Sequence, residues 1–267
     1  MSSPQALPPA QAIALGLLHG PSELLPVSSS AHTTLVPWLL GWRYGELPPR
    51  TRKAFEVGLH VGTAAALLTR RPWSGGRAPL RTLACAIVPP ALAGYALGER
   101  IERRLGTPPT IAAGLLVGAL ASAAAERGTA ERVSGNARAR DGLELGAAQA
   151  LALVPGLSRS GMTTAAARRR GFTPVDADRL SWQAGLPVIG GAALLQGTRL
   201  ARAGIPARER GALAAGAGAA FLSTHLSARL ITPNRRIRLR FATALYRVAL
   251  AATVIARMAA RAAGTKT

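Results

Sequence analysis

The 267-residue chain has a single cysteine, Cys85, which excludes an intrachain disulfide and a cysteine-built metal site. Aromatic residues make up only 4% of it, and acidic residues number 12 against 33 basic ones. The resulting net charge of +21, nearly all of it arginine, would suit a nucleic-acid partner if it were spread over one surface. It is not: the basic residues fall in short clusters between apolar stretches, at Arg70-Arg71, Arg103-Arg104 and Arg235 to Arg240. Loops at a membrane surface carry charge in this way, so nucleic acid is set aside. Residues 1 to 10 lack a basic n-region, and no cleaved signal peptide is expected. Between residues 11 and 42 no apolar run reaches the roughly 20 residues a spanning helix needs.

What the chain does have is small apolar residues, with 49% of it hydrophobic and Ala, Gly, Leu and Val dominant. Such residues let helices approach closely in lipid, where packing holds them together. The class that follows is an all-α integral membrane protein in a single membrane domain over residues 1–267.

Its organisation turns on one stretch that occurs twice. LGLLHGPSELLPVSSSAHTT (Leu15 to Thr34), shifted by 130 positions, lies over LGAAQALALVPGLSRSGMTT (Leu145 to Thr164). Leu15 pairs with Leu145, Gly16 with Gly146, Ser28 with Ser158, Ser30 with Ser160, Thr33 with Thr163 and Thr34 with Thr164, while His19 faces Gln149. Gly41-Trp42 matches Gly171-Phe172 at the same offset, and FEVGLHV (Phe55 to Val61) echoes WQAGLPV (Trp182 to Val188) at a slightly shorter one. Two copies of one unit, over about 11–126 and 141–262, are the economical explanation.

Each copy opens with two short apolar runs around a Pro- and Ser-rich turn, broken in the first copy at Gly20-Pro21 and Pro26, which predicts a re-entrant helical hairpin. Spans are predicted near 54–69, 81–98 (interrupted at Pro89-Pro90), 110–126, 180–198, 211–232 and 241–262. The architecture expected is therefore six transmembrane helices plus two re-entrant hairpins. With three spans between the hairpins, the second enters from the opposite face, giving an inverted repeat whose turns meet near the midplane. Arginine placement puts Arg70-Arg71, the connector from Arg127 to Asp141, Arg168 to Arg170 and Arg235 to Arg240 inside, and the first hairpin outside.

The turns gather Glu23, Ser28, Ser29, Ser30 and His32 from one copy and Ser158, Arg159, Ser160 and Thr163 from the other, all within apolar sequence where polar groups are costly and kept for function. Helix capping is the plain alternative for the serines. Arg159 offers a planar fork of donors suited to phosphate, and hydroxyls and turn N–H groups complete a cradle. Glu23 suits a divalent cation or a general base, and His32 lies three residues after Ser29, on one helical face. A serine nucleophile and a base-activated water both remain open. Glu56 reads as cavity-lining and Arg247 as its partner or a headgroup contact, while Asp176, Asp178 and Arg168 to Arg170 read as solvated or lipid-facing charge.

ELLPVSSSAH (Glu23 to His32) and PGLSRSGMT (Pro155 to Thr163) resemble the two signatures of the undecaprenyl-diphosphatase family associated with bacitracin resistance. Phe55-Glu56-Val57 and FATALYR (Phe241 to Arg247) are similar to further family segments. The resemblance implies metal-dependent hydrolysis of undecaprenyl diphosphate on the outer face of the bacterial plasma (inner) membrane, recycling the lipid carrier for peptidoglycan synthesis. It marks Glu23, Ser29, His32 and Arg159 as catalytic, with Ser28, Ser30, Ser158, Ser160 and Thr163 supporting at the substrate. The cofactor implied is a divalent cation, Mg or Ca. The chain departs from the family pattern at His19, where an acidic residue or Gln is usual, so His19 is a metal ligand or proton carrier alongside Glu23. His60 also stands where many relatives have Gln, and reads as a hydrogen-bonded core histidine. Two rival functions stand beside hydrolysis: a polyprenyl-phosphate transporter or flippase, which would need Arg159 but not Ser29 with His32, and an inactive relative.

Overall fold

A computed structural model describes residues 7–69, 77–127 and 130–264, so the Arg70-Arg71 cluster lies outside the described residues. The described chain is helical: α1 (Pro9–Leu24), α2 (Ser29–Leu40), α3 (Pro49–Leu68), α4 (Leu80–Leu105), α5 (Pro108–Ala124), α6 (Ala139–Leu151), α7 (Arg159–Arg169), α8 (Pro174–Ala203), α9 (Ala207–Leu230), α10 (Pro233–Arg238) and α11 (Arg240–Gly264). Among the described residues the one β pairing is an isolated bridge between Arg132 and Phe172. Local chemistry sets several boundaries. Pro49 and Pro108 open α3 and α5 at positions where a missing N–H costs nothing, and Thr107 with Thr110 closes a capping box at the start of α5.

Two expected breaks are not there. α1 continues through Pro21 to Leu24, and α4 runs for 26 residues through Pro89 and Pro90. A proline in a helix forfeits one hydrogen bond and crowds the carbonyl four residues back, but packing by a neighbouring helix can compensate. Pro90 is buried and the Pro89 ring lies against Gly146 of α6. Pro26 does end a helix, and Leu25–Ser28 separate α1 from α2.

The chain divides into two compact units that alternate along the sequence. The first comprises residues 1–24, 32–74 and 189–232. In it α1 packs on α9 and on α3, and α3 packs on α9, around Leu15, Tyr44, Phe55, Leu59 and Ala220. The approach of α1 to α9 is close because Gly16 and Gly20 have no side chain: a Cβ on Gly16 would run into the Gly216 carbonyl, and one on Gly20 would reach Ser223 and the Thr224 backbone. Such small-residue seams let dispersion act over whole helix lengths. Gly16→Ala is expected to force the helices apart at a cost of about 1–3 kcal/mol, read as a lowered melting temperature in detergent.

The second unit comprises residues 25–31, 75–188 and 233–267, so the turn of the first hairpin belongs with the whole of the second hairpin. Here α4 packs on α6, α5 on α11, and α7 on both α5 and α6, around Ala86, Leu145, Phe172, Leu180 and Ala184. Gly142 and Gly146 seat α6 on α4, where a Cβ would meet Thr82 O and Cys85 O respectively. Gly16 and Gly146, 130 positions apart, thus do the same thing in their own units.

The backbone carries the same offset elsewhere. Ser28 (φ 73°) and Ser158 (φ 64°) are the non-glycine residues with positive φ among those described, and Gly41 (φ 69°) and Gly171 (φ 80°) repeat the match. α2 begins at Ser29 and α7 at Arg159, again 130 apart. Large apolar side chains face outward on α4 (Leu80, Val88, Leu92, Tyr95) and α11 (Phe241, Leu245, Ile255). Among the described residues these two helices are long and apolar enough on length and composition alone to cross a membrane, the other expected spans being shorter or less apolar.

Candidate functional site

The residues of the first unit that matter converge from α1 and α3. His19 and Glu23, four apart on α1, share a helical face. His60 on α3 completes a group whose ligand atoms all lie within 4.8 Å of one another. The imidazoles of His19 and His60 meet edge to face with centroids 4.7 Å apart. His19 is fully buried; its Nδ1 lies 3.0 Å from Thr63 Oγ1, which in turn lies 3.0 Å from Thr224 Oγ1. Its Nε2 has no hydrogen-bond partner among the described residues. A buried nitrogen left open beside a carboxylate and a second imidazole is the donor set of a divalent cation, so these residues fit a metal. His60 is indeed hydrogen-bonded, as its sequence reading has it, with Nδ1 2.8 Å from Glu56 O, but it is also part of this cluster. His32, 2% exposed, sits on the first turn of α2.

In the second unit both serine turns end in an N-cap. Ser28 Oγ accepts from the Ala31 N–H at 3.4 Å and lies 3.3 Å from Ser30 Oγ, and Ser158 Oγ accepts from the Gly161 N–H at 3.3 Å. The capping alternative is therefore true of Ser28 and Ser158, each of which holds the N-terminus of the helix that follows it. Ser29 and Arg159 occupy the first position of the two helices.

Arg159 donates through Nη1 to Ser181 O at 3.4 Å and lies over the Trp182 ring, 5.5 Å from its centroid. It fits there because Gly185, one turn along α8, has no side chain to collide with the guanidinium. Thr163 is fully buried; its hydroxyl donates to Arg159 O at 2.8 Å and meets the Ser181 hydroxyl, which donates to Ser160 O at 3.4 Å. Ser181, Trp182 and Gly185 were not singled out as site residues. The signal for Trp182 and Gly185 is the WQAGLPV echo, which places them at positions equivalent to the α3 segment that carries His60, and Ser181 lies one residue before it.

Arg247, read as a partner of Glu56 or a headgroup contact, holds the second turn. It is 1% exposed and donates through Nη2 to Gly156 O and Leu157 O, both at 3.0 Å. Gly118 leaves the space its guanidinium occupies.

Of the charges read as solvated or lipid-facing, Arg169 is exposed, but the others are paired. Asp176 is buried and accepts from the Ser134 N–H and hydroxyl and from Arg179 at 2.6 Å. Asp178 takes Arg236 in a two-pronged ion pair at 2.9 and 2.6 Å, Arg168 is buried beside Glu126, and Arg170 pairs with Asp141 at 2.8 Å. Except for Asp176 and Arg179, three residues apart on α8, the acids and the arginines lie on different elements, so each neutralises a charge that sequence distance hides.

Asp141, with no side-chain exposure, pins the base of α6. Burial alone would raise its carboxyl, but hydrogen bonds from Arg132, the Arg138 N–H and Arg170 outweigh that and hold it well below the usual carboxylate range. A depressed folded-state value means the stabilisation is complete above the unfolded value of about 4 and is lost as pH falls through the folded one. Asp141→Asn is expected to cost about 3 kcal/mol at neutral pH, because it removes the buried carboxylate charge that Arg132 and Arg170 share. Melting curves in detergent should show the gap between the two proteins narrowing as pH drops below about 4.

The family model described as bacitracin resistance protein BacA matches residues 12–253, which include both hairpins, the His19, Glu23 and His60 cluster, Arg159 and Arg247. The chain belongs to this family. It is 39% identical over 241 residues to the undecaprenyl-diphosphatase of Geobacter sulfurreducens, covering 82% of this chain and 87% of the relative. The undecaprenyl-diphosphatase of Thermomicrobium roseum is 35% identical over 271 residues, 90% and 94% of the two chains. That of Gemmatimonas aurantiaca is 34% identical over 276 residues, 94% and 98%. As a BacA-family chain it is a membrane protein, and the two capped serine turns are features of a matched sequence rather than of an unrelated helical bundle.

Proposed function

We propose that this chain hydrolyses undecaprenyl diphosphate to undecaprenyl phosphate and inorganic phosphate, recycling the lipid carrier for peptidoglycan synthesis and conferring bacitracin resistance. The observation that carries the reading is family membership over residues 12–253, together with relatives named for this activity at 34–39% identity.

In this reading α3, α4, α5, α8, α9 and α11 span the bacterial plasma membrane, and the α1–α2 and α6–α7 pairs are re-entrant hairpins in an inverted repeat. The active site opens to the outer face. Shared membership of the two serine turns in one compact unit supports a common function for them. Arg159 binds the diphosphate through its fork of donors, with the Ser30 and Ser160 hydroxyls at its oxygens. Ser28, Ser158 and Thr163 hold those turns in place through the hydrogen bonds described above. Arg247 does the same from α11.

Glu23 and His32 are the bases available for the proton of the attacking group, which is Ser29 Oγ or a water; the bridging bond to the terminal phosphorus breaks and the lipid monophosphate leaves, with inorganic phosphate formed directly when water attacks, or after a water has cleaved the Oγ–P bond when Ser29 does. A divalent cation bound by Glu23 and His19 would supply neutralisation of the phosphate charge. Phosphate release from undecaprenyl and farnesyl diphosphates by the purified protein in detergent, with and without chelator, tests the assignment. Chelator-sensitive release is expected. A transporter would bind the lipid and release nothing, because detergent abolishes sidedness.

A further inference from the structure

We infer that His19, His60 and Glu23 form a site for a nitrogen-preferring transition-metal ion of the Zn2+ and Co2+ kind, in place of the Mg or Ca expected from the family resemblance. The inference rests on the metal-dependent reading for its location only, and nothing in it depends on which lipid is hydrolysed.

The donor set decides the ion. Magnesium and calcium take oxygen ligands, and magnesium gives up its waters reluctantly. Two of the three donors here are imidazoles, which suit zinc, cobalt, iron and nickel, and two histidines with one carboxylate leave positions open for a small ligand. Nothing about His19 or His60 alone would carry this, since a single buried histidine is ordinarily a core residue.

The second layer of contacts fixes the tautomer of His60 and accommodates the one that a metal requires of His19. The Glu56 carbonyl can only accept, so the proton of His60 is on Nδ1 and its Nε2 carries the lone pair. Thr63 Oγ1 can accept from His19 Nδ1 and donate onward to Thr224, which leaves the same atom, Nε2, as the lone-pair nitrogen of His19. Metal-bound histidines are oriented in this manner, by an acceptor on the nitrogen that does not bind. His19 Nε2 then stands fully buried with no partner among the described residues, beside His60 and Glu23.

The platform is rigid. α1 is seated on α9 by Gly16 and Gly20, and α3 by Gly62, where a Cβ would run into the Ala217 carbonyl. The two helices that carry the ligands are therefore held at a fixed spacing by a third, which supports a preorganised site.

The probe is Co2+ and Zn2+ added to chelator-stripped, full-length protein in detergent. The expected result is one equivalent of Zn2+ retained through gel filtration, and Co2+ giving visible ligand-field bands that Zn2+ abolishes and a large excess of Mg2+ or Ca2+ does not. His60→Gln removes one ligand and should weaken Zn2+ binding by about a hundredfold or more, whereas Thr63→Val, which keeps all three ligands and loses the bond to His19, should weaken it roughly 10- to 100-fold. Elution volume and circular dichroism unchanged in Thr63→Val keep the comparison valid should His60→Gln fold poorly. No Co2+ bands in the parent, bands erased by Mg2+, or Zn2+ binding unchanged in both variants each overturns the inference. Lipid-diphosphate hydrolysis supported by Mg2+ without a Zn2+ site would leave the proposed activity standing and sink this inference. A Zn2+ site in a protein that releases no phosphate would do the reverse.

Discussion

Glu23→Gln is expected to lower the turnover of lipid diphosphate by about 10³-fold, within the 10²- to 10⁴-fold range that a positioned general base contributes. The substitution keeps volume and hydrogen-bonding capacity while deleting the charge, so folding should be preserved and the melting temperature should change little. Two roles for the carboxylate make different secondary predictions. If Glu23 serves as a cation ligand, raising the metal concentration should restore part of the rate, because weakened binding is offset by mass action. If it serves as a base, saturating metal should leave the defect intact. His19→Ala provides the comparison: with His19 in the same cluster as Glu23 and His60, its loss should be comparable to that of Glu23. A Glu23→Gln protein that hydrolyses the lipid at the parental rate and with the same metal dependence removes Glu23 from the chemistry.

Much of this site was legible in the sequence because the repeat is local in character. A positive-φ serine, a cap and a helix start recur together at a fixed spacing, so Ser28 with Ser29 and Ser158 with Arg159 could be matched without any knowledge of packing. What was not legible depends on contacts between distant segments. His60 looked like an isolated core histidine because the residues that give it company, His19 and Glu23, come from another helix some forty residues earlier. Asp178 and Arg170 looked solvated because their partners, Arg236 and Asp141, lie on other elements tens of residues away. Pro89 and Pro90 looked like an interruption because propensity is a local rule. The α6 helix that accommodates the Pro89 ring is a tertiary fact, seen in the glycine at position 146 only once the two helices are known to touch.

Arg159→Lys is expected to reduce turnover by roughly 10²- to 10³-fold, about 3–4 kcal/mol, the loss that follows removal of one preorganised donor from a developing anion. The side chain is placed for that role by three neighbours on α8: the Ser181 carbonyl takes one N–H, the Trp182 face lies beneath the guanidinium, and Gly185 leaves the room it occupies. A lysine keeps the charge but has neither the planar fork nor the stacking surface, so it would sit as a point charge with its donors aimed less well. Were Arg159 only a tie between α7 and α8, the same change would lower stability and leave turnover per folded molecule unaltered. Gly185→Ala separates the two possibilities from the other side, since a Cβ there collides with the guanidinium and displaces it without touching its charge. The clamp role requires Gly185→Ala to slow hydrolysis in the same direction as Arg159→Lys, and the double variant to be little worse than Arg159→Lys alone, because both act on one interaction. Normal turnover in Arg159→Lys, or additive losses in the double variant, would take the clamp away and leave Arg159 as a structural link between the two helices.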